Sequence, residues 1–135
     1  MVQCLRECLS NEGYSLSAEK QYGERGADII AKRTDVTYHV EVIGYKGPRA
    51  GSGRGRDFFE AFFHAVSRLD EGAEHVVVAV PSSAESGLRE RARHHRIAWI
   101  RIAGAFPELE VWLVDLGTRT YRQTAWKDWL EPSRE

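Results

Sequence analysis

Gly26-Ala27-Asp28-Ile29-Ile30-Ala31-Lys32-Arg33 is followed, after Thr34-Asp35-Val36-Thr37, by Tyr38-His39-Val40-Glu41-Val42-Ile43-Gly44-Tyr45. Two apolar-rich runs flanking a short polar turn predict an antiparallel hairpin, with strands over 27–33 and 38–45. Setting Arg33 opposite Tyr38 places Ile30 opposite Glu41 and Asp28 opposite Ile43. Asp28 and Glu41 then become diagonal neighbours on one sheet face. A slip of one residue would put them on opposite faces.

Upstream, Val2, Leu5 and Leu9 recur at helical spacing and Asn11-Glu12-Gly13 supplies a stop, so the chain opens on an amphipathic helix. Tyr14 to Leu16 begins an edge strand, while Glu19 to Gly26 is too polar and Gly-punctuated to assign. Downstream, Phe58, Phe62, Ala65 and Leu69 form a helical stripe that Phe59, Phe63 and Val66 widen. Such breadth asks for two contacts, the sheet and either another helix or a partner subunit, making this aromatic helix the candidate surface for a homo-oligomer. His75 to Val80 is almost continuously apolar and ends at Pro81, the pattern of a covered central strand. Ser82 and Glu85 offer a helix cap, and Leu88 and Ala92 mark the inner side of a charged helix through His95. Ile97 to Ile102 reads as the next strand and Glu110 to Val114 as another.

The resulting order is helix, hairpin, helix, strand, helix, strand, with a C-terminal extension over 103–135. It predicts an α/β fold, a mixed β-sheet flanked by helices. At 135 residues one core suffices, so a single domain spans 1–135. Tyr121, Trp126 and Trp129 in the tail are expected to anchor it to that core rather than to recognise a base. Cys4 and Cys8 share a helix face without bridging, no secretion signal opens the chain, and no apolar stretch approaches bilayer length. A reducing, cytoplasmic setting with no membrane contact follows.

Charge is balanced, 19 basic against 20 acidic residues for a net −1, so there is no general attraction to nucleic acid. Locally, Lys46, Arg49, Arg54 and Arg56 crowd a Gly-rich stretch in which Asp57 is the acidic neighbour. This is either a solvated loop or a phosphate-facing edge, and Arg49, Arg54 and Arg56 are the candidate DNA-binding residues. The stretch lacks the Lys-Ser/Thr ending of a P-loop and the glycine spacing of a dinucleotide fold, which excludes both.

The hairpin, read with its preceding helix and the following helix–strand pair, resembles the PD-(D/E)xK nuclease superfamily, the restriction-endonuclease-like proteins with an Mrr- or resolvase-like core, over about residues 2 to 102. That resemblance implies a nucleic-acid-processing protein, a divalent-metal-dependent DNA endonuclease that acts as a Mg²⁺-dependent phosphodiester hydrolase. Asp28 and Glu41 match the family's metal-binding acids, which hold Mg²⁺ or Mn²⁺, and a bound ion polarises the phosphate. Ile43 stands where the family carries its lysine, and an aliphatic side chain has neither charge nor hydrogen bond to give. Lys32 on the neighbouring strand or Lys46 at the strand end would have to supply the ammonium, or else the chain is a catalytically impaired DNA-binding or assembly module of the same fold.

Each candidate has a plainer reading. Asp28 can serve a turn, and Glu41 can form a surface ion pair with Lys32 or Arg33. His39 shares Glu41's face but suits packing as well as ligation. His64, where related nucleases often carry Gln, lies one turn from Glu60, and a salt pair between them is the simpler expectation. Glu24 has no clear place in the pattern.

Overall fold

The computed structural model describes residues 1–21, 26–43 and 52–130, with 52–57 in backbone only. Helix α1 (Val2–Asn11) ends at the expected Asn11-Glu12-Gly13 stop, and Gly13 takes a φ of +91°. A side chain at this left-handed φ would be strained. Strands β1 (Ser15–Leu16), β2 (Ile29–Arg33) and β3 (Val36–Val42) follow, then α2 (Ser52–Ser67), β4 (His75–Pro81), α3 (Glu85–His94), α4 (Arg96–Ala105), β5 (Leu109–Asp115) and β6 (Thr120–Ala125). A 3-10 turn, Trp126–Leu130, follows the last strand.

The six strands lie in sequence order, β1-β2-β3-β4-β5-β6. The outer pairings are antiparallel, whereas β3–β4 and β4–β5 are parallel and joined by α2 and by α3–α4. The expected mixed sheet flanked by helices is therefore present. Alternation along β4 divides the interior in two. Val76, Val78 and Val80 pack with Phe58, Ala65, Leu88, Trp99 and Trp126 beneath α2–α4. Val77 and Ala79 pack with Leu5, Leu9, Ile29, Val40 and Trp112 beneath α1. Cover on both faces explains why the strand reads as a continuous apolar run.

The tail docks as expected. Trp99 and Trp126 stack at 3.8 Å between ring centroids, and each indole N–H donates to the other residue's carbonyl, at 2.9 and 3.1 Å. Trp129 is buried beside them. No helix among the described residues is long and apolar enough to cross a membrane.

Three expectations are corrected. Ile97–Ile102 is helical, not a strand. A short apolar run fits either element, but here the inward positions are Trp99, Ile102, Ala103 and Phe106, a helical series that leaves Ile97 and Ile100 exposed. Ser82 does not cap α3: Ala84 is the N-cap residue, without a side-chain bond, and Glu85 binds Arg89 and Arg122 instead. The hairpin turn has two residues, Thr34 and Asp35, because Val36 and Thr37 already pair in β3; Thr34 takes a φ of +49°.

Candidate functional site

The tight turn moves the hairpin register by two residues. Arg33 opposes Val36, Ile30 opposes His39 and Ile29 opposes Val40, so the same register carried one step further sets Asp28 level with Glu41 rather than Ile43. An even shift preserves the faces. Asp28 and Glu41 do share the α2 side of the sheet, as the sequence predicts, by a different pairing.

Both oxygens of Asp28 are occupied within the protein. Oδ2 accepts the Val42 N–H at 2.8 Å, and Oδ1 lies 2.8 Å from Lys20 Nζ. Lys20 also donates to the Gly26 carbonyl at 3.2 Å, tying the polar segment before β2 to the hairpin. Glu41 is only 5% exposed. Among the described residues its Oε1 has no hydrogen-bond partner, and it lies 3.6 Å from Arg68 Nε. Arg68 is itself held by the His64 carbonyl, at 3.1 Å, and by Glu71, at 2.6 Å.

Burial first, and then the Asp28 charge, push the Glu41 carboxyl up to about 7, against the opposing pull of Lys20 and Arg68. Taking a carboxylate out of water favours its neutral form, and a neighbouring acid adds to that. His39, two residues earlier on the same face, has a buried Nδ1 without a partner among the described residues, and burial lowers its pKa. The plainer reading of Glu41 is corrected in its partner: the cation facing it is Arg68, not Lys32 or Arg33.

A hollow of about 580 Å³ opens over this network between Lys20, Glu41, His64, Arg68, Asp70 and Glu71. A second, of about 240 Å³, adjoins it through Lys20, Glu41 and His64 and reaches Asp28, Ile43 and Glu60. No ion pair joins Glu60 to His64 among the described residues; both are exposed and line this smaller hollow instead. Ile43 is 3% exposed and packs into the helical-side core. Lys32 pairs with Thr37 and Ser15, four residues along the strand from Asp28 and thus roughly 13 Å away. It shares the acids' face but not their neighbourhood. Lys46, Arg49 and Glu24 lie outside the described residues, as do the side chains of Arg54 and Arg56.

Local sequence patterns do not reveal Lys20 and Arg68. Lys20 sits in the stretch whose polarity prevents assignment, and its role depends on how that stretch returns to β2. Arg68 opens the 3-10 turn that follows α2, four residues after His64, but nothing in the spacing points it at Glu41.

No family model matches the chain, and no curated protein does. Among solved structures, an XisH family protein from Nostoc punctiforme PCC 73102 aligns with a TM-score of 0.61 and 17% sequence identity, covering 90% of this chain and 95% of that one. The two chains share a fold. This overturns the expected placement in the PD-(D/E)xK nuclease superfamily, since the structural counterpart is described as an XisH family protein and not as such a nuclease. The expected divalent-metal-dependent endonuclease and phosphodiester hydrolase activities are corrected with it. Among the described residues no group of three or more His, Cys, Asp or Glu side chains gathers where it would hold a metal ion.

Proposed function

We propose that the chain is a non-catalytic DNA-binding or assembly module, one domain over residues 1–135, built on a sheet of restriction-endonuclease-like outline and working in the cytoplasm. The observation that carries this reading is the internal neutralisation of the acidic pair. Lys20 and the Val42 N–H take both oxygens of Asp28, and Arg68 faces Glu41. Asp28 is thereby engaged in a structural ion pair and backbone bond, and Glu41, its carboxyl pushed up to about 7 by burial, faces Arg68 rather than an open ligand position.

DNA is the partner we favour. Arg49, Arg54 and Arg56 supply planar, multiply donating groups suited to phosphate in a Gly-rich stretch. Asp28 and Glu41 are the residues that would hold Mg²⁺ or Mn²⁺. A bound ion would lend its positive charge to the cleft, and Lys20 would have to leave Asp28 to admit it. Assembly is favoured by a separate observation, the exposure of Phe59 and Phe63 on α2.

Duplex affinity measured against salt tests the DNA reading. Exchange of Arg49, Arg54 and Arg56 for Gln is expected to reduce the slope of log affinity against log salt by about 0.9 for each phosphate that is no longer neutralised. An unchanged slope and affinity would remove these residues from the contact surface.

A further inference from the structure

Helix α4 is apolar on both sides. Its inward face carries Trp99, Ile102 and Ala103 into the core, followed by Phe106, yet Ile97 and Ile100 on the outward face are 71% and 44% exposed. Of its ten residues, Arg96 and Arg101 are the charged ones. A helix that is apolar all round is expected to be covered on both faces. Ile97, Ile100 and the exposed Gly104 stand at i, i+3 and i+7, so they form one stripe along the side away from Trp99.

Gly104 is the least expected member of that stripe, because glycine is a poor helix former. Its backbone is not left-handed, and a Cβ built on it would meet nothing within 4 Å. Nothing among the described residues asks for glycine here. A body packed from outside would, since a missing side chain lets it approach the backbone closely. Beside Gly104 opens an apolar hollow of about 320 Å³, lined by Ala103, Phe106, Pro107 and Trp126, with Lys127 its one charged neighbour.

One end of the stripe therefore projects and the other recedes, about 10 Å apart at 1.5 Å per residue. Turned end for end, such a stripe fits itself. In an antiparallel pair of α4 helices about a two-fold axis midway between residues 100 and 101, Ile97 of one copy meets Gly104 of the other at the mouth of its hollow. The two Ile100 side chains meet near the axis. Charge agrees at the helix ends: α4 has no acid in its first turn and no cation in its last, so neither end of its dipole is complemented within the chain. Antiparallel pairing brings Arg96 of each copy towards the other's last turn, whose carbonyls lack helical partners. Arg101 flanks the stripe and faces its own copy at the rim, where salt screens the repulsion.

We propose that α4 is the contact between two copies of this chain, packed antiparallel with Ile97 of each against Gly104 of the other. The surface is distinct from the exposed Phe59 and Phe63 of α2 and does not depend on DNA binding.

Sedimentation equilibrium of the full chain from about 5 to 300 μM tests it, a range suited to a short and hence weak interface. The wild type is expected to pass from monomer to dimer, more readily at high salt. Ile97→Ser with Ile100→Ser should weaken the dimer by roughly 10-fold or more. Gly104→Leu should do the same by filling the recess, while raising the thermal midpoint of the dilute monomer, because leucine is the better helix former and its Cβ has room. These opposite effects separate a lost contact from a lost fold. Under mild oxidation Ile100→Cys should give a disulfide-linked dimer, whereas Ala98→Cys, exposed on the flank of the stripe, should not.

A chain that stays monomeric over the whole range would overturn the proposal. So would a dimer that survives the Ile and Gly exchanges but is lost with Phe59→Ser and Phe63→Ser, which would place the contact on α2. Sedimentation of the monomer with phosphatidylserine vesicles, abolished by Ile97→Ser with Ile100→Ser, would overturn it in favour of a lipid surface. Duplex affinity against salt decides the DNA reading separately, and its failure would leave this contact standing.

Discussion

Lys20 holds Asp28 from outside while the sheet holds it from within: the ammonium lies 2.8 Å from Oδ1, and the Val42 N–H donates to Oδ2 at the same distance. The two interactions differ in what their removal costs. Lys20 and Asp28 are both partly exposed, at 29% and 24% of their side chains, so water compensates for much of a broken ion pair. A backbone donor at a strand end, left without an acceptor, costs more.

Asp28→Ala is therefore expected to destabilise the fold by about 1–3 kcal/mol, and Lys20→Met by under about 1 kcal/mol. Urea denaturation of the two variants makes the comparison. Equal losses would mean that the ion pair, rather than the backbone bond, fixes Asp28.

Glu41 gives a pH dependence of definite sign. Its carboxyl rises from an ordinary value of 4.5 to about 7 in the fold, so between these values the folded chain keeps a proton that the unfolded chain releases. Its contribution to stability is complete below about pH 4.5, declines as pH rises and is lost above about 7. Glu41→Gln removes this dependence. The variant should gain on the wild type by an amount on the order of 3 kcal/mol between pH 4.5 and 8. Chemical denaturation at both pH values measures it, and a gap that stays constant with pH would contradict the assignment.

The tail is held by Trp99 and Trp126, which stack and exchange indole hydrogen bonds with each other's carbonyls. Trp126→Ala should cost about 3–5 kcal/mol. Trp126→Phe keeps most of the apolar packing but removes one donor and should cost about 1–3 kcal/mol. Thermal unfolding followed by near-ultraviolet dichroism reads both; a loss below about 1 kcal/mol for the Ala variant would show that the tail is not part of the cooperative core.

Much of this architecture is legible in the sequence because it rests on periodicity. The spacing of Val2, Leu5 and Leu9, the unbroken run from His75 to Val80 and the stripe from Phe58 to Leu69 each identify the right element. The α4 segment misleads because a six-residue apolar run does not distinguish strand from helix, and three isoleucines favour the strand reading. In the hairpin, parity survives an error in register because the shift is even. The acids are thus found on one face, while the cations that neutralise them are not: Lys20 and Arg68 arrive from other segments, and chain return is a tertiary property that local spacing does not encode.

The metal proposal has its own readout. Because an entering ion must displace the Lys20 ammonium from Asp28, Lys20→Met should bind Mn²⁺ more tightly than the wild type, and Asp28→Asn more weakly. Calorimetric titration of the folded proteins resolves the order. Identical affinities in all three would remove Asp28 from any ion site.

Binding without cleavage is tested most directly by incubating stoichiometric protein with end-labelled duplex and single-stranded DNA, with and without Mg²⁺ or Mn²⁺, and resolving the products on native and denaturing gels. The predicted result is retarded DNA on the native gel, weakened by salt, with strands of full length on the denaturing gel under every condition. Metal-dependent shortening of the strands, abolished by Asp28→Asn or Glu41→Gln, would contradict it.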